Sequence, residues 1–592
     1  MRTKKFRDPI YGYIEIEETI VHDIVDTATF QRLRNIRQTS YGPLYPSSLL
    51  NRFVHSLGVY HLGKIAFCAL RQSLAVHREN GTKIVGELDR LFQDDLSRFQ
   101  ILFELACLLH DVGHSPFSHT GEKFYKTSKS PVCVVDETPF LKRIEQAETD
   151  EEKQKIQQEL EKEKEYNYRK HLAYLTDDPV FTSAVAENAS PHEIMSCIVA
   201  LEKFGKNKAY FQTASDRSFF ARCITGLLYS DACGLTPTDY IKMNDDAYTG
   251  IKLKMLQNCI ILLLHSSVID VDRLDYIIRD ASTMGYQSVS VDYERLLFGI
   301  EIVLEDDYNF TVGFHKNAIS VIENAVYAHD NEKKWVQSHP AILYESFLLQ
   351  QAIIAIEGQI QKDNPQAQST LFSYASLTNE GSQFDGIRIR YLGDADIIYL
   401  MKNIYPNKYS DQYFNRDMRR LPAWKSEAEF RNLFNESERG HITSIMDYIM
   451  MGDSKLERDS FEVNRDTIIE IDREIEESIS SQYTNRVEVC KKKKQYLTAL
   501  LDVCKKHKIE EDVVLLSTSF FKSNFSKNNM QEILIMFPSG KQKSRLKEVS
   551  TTLSSNRSSD GRLIYLFYYP RPGRKKVDAT AFARDLIMAF DE

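Results

Sequence analysis

LLHDVGHSPFSH, residues 108–119, is the stretch whose reading decides the fold of this chain. An apolar helical run from Arg98 to Leu109 ends there in an adjacent His110-Asp111 pair, and His114 and His119 follow, so three histidines lie within ten residues. Taken singly, each has an ordinary reading: a buried histidine satisfied by the core, a solvated aspartate, a loop or helix cap. The surrounding sequence weakens those readings. NRFVHSLGV (51–59) places His55 upstream, and DVDRLDYIIRD (270–280) places Asp272 far downstream. Two imidazoles and two carboxylates suit a divalent metal and leave positions open for water and a phosphate oxygen.

With these pieces the sequence resembles the HD superfamily, and more narrowly its deoxynucleoside triphosphate triphosphohydrolases, dGTPase-like proteins included. The matching stretches are DPIYGYIEI (8–16), FQRLRNIRQ (30–38), NRFVHSLGV, LLHDVGHSPFSH, PHE (191–193) and DVDRLDYIIRD. They fall between about residues 4 and 340, and little matches beyond. The resemblance implies a mainly α fold with an HD-superfamily helical core, and hydrolysis at the α-phosphorus that releases a deoxynucleoside and intact triphosphate. One divalent metal would sit on His55, His110, Asp111 and Asp272; iron, manganese, zinc and magnesium are all compatible with that set, and magnesium would accompany the nucleotide phosphates.

The same resemblance brings His114, His119 and His192 near the phosphates, with His119 as general acid, since histidine exchanges protons near neutral pH. Glu122 stands where the family carries an aspartate, and reaches one methylene further. Asp272, Tyr276 and Asp280 fall at i, i+4 and i+8, one stripe of a helix. By resemblance Tyr276 packs where a 2′-hydroxyl would sit, Asp280 and Gln38 bind the 3′-hydroxyl, and Arg52 with Arg273 contacts phosphate; ordinary interhelix contacts are the plain alternative for Tyr276 and Asp280. A second, activating guanine-nucleotide site is implied at Asp26, Gln31 and Arg34, with Lys4 near its phosphates. The competing reading there is a surface ion pair between Asp26 and Arg34, worth about 0–1 kcal/mol. For a second activator nucleotide the family has a His-Lys pair, and this chain reads His339-Pro340.

Two other functions stay open. One is a different HD phosphohydrolase, acting on nucleoside monophosphates, cyclic nucleotides or guanosine tetraphosphate. The other is a nucleotide-sensing scaffold with a degenerate HD site, against which all four ligand types are present.

Composition agrees with a globular enzyme. Of 592 residues, 42% are hydrophobic and 27% charged, which leaves no case for wholesale disorder. A net charge of -9 argues against nucleic acid as the main partner, because phosphate neutralisation needs local positive charge. The nine cysteines include no C-x-x-C pair, so reduced thiols are expected rather than a thiolate zinc site or a disulfide framework. The apolar run Cys259 to Leu264 is far short of the roughly 20 residues that span a bilayer, and the charged N-terminus does not read as a secretory signal. The expectation is a cytoplasmic protein with no membrane partner, assembling as a homo-oligomer, dimer or tetramer.

Three segments are expected: an HD core over 1–360 with a charged, solvated helix inserted at 141–170, a helical lobe over 361–510, and a small α+β lobe over 511–592. Helical periodicity marks 27–38, 54–74, 98–109, 188–206, 218–227, 251–280 and 317–356. VVLL (513–516), EILIMF (532–537) and LIYLFYY (563–569) read as strands, with helices at 541–553 and 579–590.

Overall fold

The structure, a computed structural model, describes residues 2–39, 42–80, 85–127, 142–144, 153, 156, 167–266, 269–285, 290–363, 371–384, 386–451, 459–480, 484–526, 528–537, 543–550, 562–570 and 576–591. It is mainly helical with a few small sheets. Most of the charged segment 141–170 lies outside the described residues.

The chain divides into two compact units. The first takes Met1–His329, Ile353–Tyr405 and Asn524–Ser555; the second takes Asp330–Ala352, Pro406–Ser523 and Asn556–Glu592. This partition crosses the boundaries expected near 360 and 510. The reason is strand pairing. Strand Leu534–Met536 joins the first unit's sheet, whereas Val513–Ser519 and Arg562–Tyr568 pair with each other in the second.

The first unit opens on an antiparallel hairpin, β1 (Thr3–Asp8) and β2 (Gly12–Glu17), in a region without helical periodicity. The helices that carry the site or pack against those that do follow: α1 (Arg52–Glu79), α2 (Gln93–Leu109), α3 (Pro191–Phe204), α4 (Ala214–Thr225), α5 (Asp245–Leu264) and α6 (Val271–Met284). α1 packs on α2, α5 and α6, and α2 packs on α3 and α4. Phe67 of α1 and Phe103 of α2 are fully buried with ring centroids 5.8 Å apart, and each such side chain contributes roughly 1.5–3 kcal/mol on burial. α1 alone among described helices is long and apolar enough to cross a membrane, and 72% of its apolar window is buried inside the protein.

The helix expected over 251–280 is two helices. Asp270 breaks the run because its carboxylate accepts the N–H of Ser266 (3.1 Å) and caps α6 through the N–H of Arg273 (2.7 Å). The run over 317–356 is likewise interrupted, between Ile319–Glu332 and Pro340–Asp363, where proline cannot donate within a helix. β3 (Ile300–Leu304) and β4 (Phe310–His315) pair antiparallel; Leu534–Met536 adds in parallel to β4, and Lys543–Arg545 closes the far edge.

The second unit is a four-stranded antiparallel sheet in the order Leu421–Pro422, Arg562–Tyr568, Val513–Ser519, Ser460–Val463. Helices Glu436–Met451, Thr484–Lys506 and Ala579–Asp591 cover it, sharing a core with Trp424, Phe430, Leu497, Leu515 and Phe582. The eight described cysteines are free thiols.

Candidate metal centre and histidine cluster

Three helices of the first unit deliver the four expected ligands. His55 lies in the first turn of α1, His110-Asp111 on the turn that ends α2, and Asp272 in the first turn of α6. Asn51 caps α1 by accepting the N–H of Val54 at 3.2 Å. The turn after α2 is pinned by the buried Arg32, whose guanidinium donates to the carbonyls of Val112 (2.9 Å), His114 (2.8 Å) and Leu392 (2.8 Å). Burial lowers the pKa of that guanidinium to about 10.

Nδ1 of His110 donates to the carbonyl of Cys107 (2.9 Å), and Nδ1 of His55 faces the carboxylate of Asp275 (2.7 Å). Each neutral ring therefore keeps its proton on Nδ1 and a lone pair on Nε2. These two Nε2 atoms are 3.2 Å apart. Oδ1 of Asp272 lies 2.9 Å from Nε2 of His55 and 3.5 Å from that of His110. Oδ1 of Asp111 lies 3.6 Å from Nε2 of His110, and its Oδ2 takes Arg52 at 2.8 Å.

Oδ1 of Asp111 is buried with no hydrogen-bond partner among the described residues. Lone pairs and carboxylates gathered on one point repel, so positive charge belongs between them. Without a metal that charge is protons. Burial opposes ionising His110, but Asp111 and then Asp272 push its pKa up to about 9. With a metal, the same two nitrogens and two carboxylates form a donor set of the right kind for one divalent cation, and His55, His110 and Asp111 are close enough to share it.

Beside this centre stands a second cluster. The ring of His114, fully buried, stacks on His192 (centroids 4.4 Å, 20° between planes) and meets His119 edge-on (5.2 Å). Oε1 of Glu122 lies 3.0 Å from Nδ1 of His192 and 4.0 Å from Nε2 of His114, and pairs with Nδ1 of His119. Burial works against the charge on Glu122, yet His192 and His119 hold its pKa well below the usual carboxylate range. His192 is raised in turn: burial opposes its charge, and Glu122 outweighs burial. Burial, then the charge of Arg52, drives His114 far below the ordinary histidine value. The cluster thus offers a neutral buried imidazole, a fixed carboxylate and one exposed ring, His119, whose side chain is 70% accessible.

His119 rides on a strained loop, since Phe117 and Ser118 both adopt left-handed backbone (φ 56° and 54°). Asp394 holds that loop, accepting the N–H of Phe117 (2.8 Å) and of Arg37 (3.1 Å). Burial raises the Asp394 pKa to about 6 against those two amides.

The other expected residues fall in several places. Arg52, assigned above to phosphate, is buried and engaged with Asp111, the hydroxyl of Ser118 (2.9 Å) and the carbonyl of Gln38 (3.2 Å). Gln38 is buried, and its side-chain oxygen has no hydrogen-bond partner among the described residues. Tyr276 is half-buried one turn after Asp272, its ring 6.3 Å from that of His329, and Asp280 is fully buried a turn further. Arg273 lines a cavity of about 20 Å³ with Asp270, Ile277 and His329, room for about one water. Asp26 meets Lys4 (3.6 Å), whereas Arg34 turns to Gln31 (2.8 Å) and lies 3.6 Å over the ring of Phe53. The ion pair weighed above for Asp26 is therefore made to Lys4.

Arg32, Asp275 and Asp394 escaped the sequence reading. The first two sit inside quoted motifs, and their charge in helical runs was the available signal. Asp394 lies 277 residues from Phe117, in a segment with no motif to mark it.

Residues 52–178 match the HD domain family. An uncharacterised protein of Mycoplasma genitalium is 23% identical over 62% of this chain and 63% of its own length. Deoxynucleoside triphosphate triphosphohydrolase SAMHD1 of Gallus gallus is 40% identical over 20% of this chain and 16% of its own. The chain thus spans less than two thirds of these relatives. A phosphohydrolase structure from Bacteroides thetaiotaomicron aligns over 96% of this chain and 100% of its own, with TM-score 0.50 and 17% identity, a likeness of fold. Over residues 52–178 the chain is accordingly similar to HD domains, and it resembles the HD-domain, dNTPase-like family.

Proposed function

We propose that this chain is a metal-dependent HD phosphohydrolase that converts deoxynucleoside triphosphates to deoxynucleoside and triphosphate. The observation that carries the reading is the one short connection, residues 110–122, that joins the His110 and Asp111 pair to the His114, His119 and Glu122 cluster. A divalent cation bound by His55, His110, Asp111 and Asp272 would polarise a phosphoryl oxygen and acidify water.

The remaining steps belong to side chains. Glu122 orients His119, which donates a proton to the departing 5′-oxygen. His192 shares Glu122 and supplies positive charge near the phosphates, and Arg52 fixes Asp111 from behind, so its effect on phosphate is indirect. Tyr276, on the stripe after Asp272, closes the space of a 2′-hydroxyl, with Asp280 and Gln38 toward the 3′-hydroxyl. The name of the SAMHD1 relative supports the substrate class. A guanine nucleotide at Lys4, Asp26, Gln31 and Arg34 activates the enzyme, in a homo-oligomer.

Product analysis over a panel of deoxynucleoside triphosphates with iron, manganese, magnesium and zinc tests the proposal. Intact triphosphate with nucleoside is expected. Orthophosphate or pyrophosphate with nucleotide, or turnover confined to monophosphates, cyclic nucleotides or guanosine tetraphosphate, would replace this reading with another HD phosphohydrolase.

A further inference from the structure

Behind His55, on the side away from Asp272, lies a buried polar assembly. Asp275 takes Nδ1 of His55 on Oδ2. Arg279 grips the same carboxylate at both oxygens, Nε to Oδ2 and Nη2 to Oδ1, each at 2.9 Å, and the Tyr11 hydroxyl donates to Oδ1 at 2.8 Å. Nη1 of Arg279 then donates to Asp8 (2.9 Å), whose other oxygen accepts the N–H of Ile10 (2.8 Å) and of Tyr11 (3.0 Å) at the turn of the β1–β2 hairpin. Asp275, Arg279, Asp8 and Tyr11 are 0, 1, 5 and 9% exposed.

The backbone is cut to fit this assembly. Gly58 sits three residues after His55 on α1, and a Cβ there would lie 1.9 Å from Oδ1 of Asp275 and 2.4 Å from Nη2 of Arg279. Any larger residue would push the carboxylate off His55. Stability alone does not account for such an arrangement, because buried ion pairs are often replaceable by apolar side chains at no loss. A carboxylate on the far nitrogen does something packing cannot: it fixes the tautomer and aim of the ring, and raises its basicity.

We infer that Asp275 is a positioning residue of the metal centre, fixing Nε2 of His55 as a metal-binding lone pair, and that the N-terminal hairpin is built into that centre through Tyr11 and Asp8. The inference rests on the metal reading proposed above. It assigns four residues, Asp275, Arg279, Tyr11 and Asp8, that touch neither metal nor substrate.

The test is Mn²⁺ titration of the full chain after chelation, with no substrate present, alongside the melting midpoint of the metal-free protein. Asp275→Asn keeps shape and loses charge, and should weaken Mn²⁺ binding by about 10–100-fold. Tyr11→Phe removes one of the contacts to Asp275 and should weaken it several-fold with little change in melting. If Asp275→Asn fails to fold, Tyr11→Phe decides. Unchanged Mn²⁺ affinity in the folded variants, even with a lowered melting midpoint, would overturn the inference and leave a structural role only. The two readings separate cleanly: a native chain that binds no Mn²⁺, or binds it equally after His110→Ala, defeats the metal reading itself.

Discussion

Gly113→Ala should separate two halves of the site. Gly113 lies on the turn after His110 and Asp111, the proposed metal ligands, its N–H donating to the hydroxyl of Ser196 (3.0 Å) and its carbonyl accepting from Tyr125 (2.6 Å). A Cβ there would come within 2.3 Å of the Ser196 nitrogen, 2.4 Å of the Met195 carbonyl carbon and 2.6 Å of its oxygen. All three are backbone of α3, so no side-chain rotation relieves the clash. Comfortable contact needs about 3.5 Å, and α3 must move off by roughly 1 Å, at about 1–3 kcal/mol for overpacking. α3 carries His192, whose 3.0 Å bond to Glu122 would stretch beyond hydrogen-bond range. A 1 Å misplacement of this kind costs on the order of 100-fold in rate. Triphosphate release and the melting midpoint should both fall, while Mn²⁺ binding through His55 and Asp272 changes little. Native turnover and native melting in this variant would refute the placement of α3 and the role given to His192.

His110→Ala with Asp111→Ala should abolish both bound metal and hydrolysis, read by elemental analysis and product assay; full activity would remove the ligand assignment. dGTP should turn over about 10–100-fold faster than GTP, a margin that narrows in Tyr276→Ala, and equal native rates would sink that role. The raised Asp394 pKa has a signed consequence: stability from its neutral form is fully present below about pH 4 and is lost as pH rises through about 6. The shift corresponds to about 3 kcal/mol, so urea midpoints should fall from pH 4 to 7 by an amount that Asp394→Asn removes; parallel profiles would contradict it. Asp26→Ala should abolish any rate increase that GTP gives with a non-guanine substrate, and an undiminished response would dismiss the second site.

The four expected ligands stood out in the sequence through the family resemblance of the short motifs that hold them, and the structure sets those motifs at element ends: a cap before His55, a helix end before His110, a cap before Asp272. The helices around them showed their buried faces as periodicity. What escaped reading depends on contacts remote in sequence. Asp394 serves a loop 277 residues away, and Leu534–Met536, besides pairing with Lys543–Arg545 next to it in the chain, adds in parallel to β4, far earlier in the sequence. Periodicity also ran straight through Asp270, since a single capping carboxylate ends one helix and begins another without disturbing the apolar pattern. The N-terminal hairpin carried no helical signal, and its Asp8 and Tyr11 point to a partner known only once Arg279 is placed.

That hairpin reaches two places at once. Lys4 lies at its outer end beside Asp26, and Asp8 closes its inner end on Arg279. Should a nucleotide held at Lys4 and Asp26 tighten the strand, metal and nucleotide would each raise the affinity of the other by one common factor, as binding linkage requires. Iron or manganese supply would then set how much nucleotide is needed for activation, and an enzyme starved of metal would look insensitive to its activator.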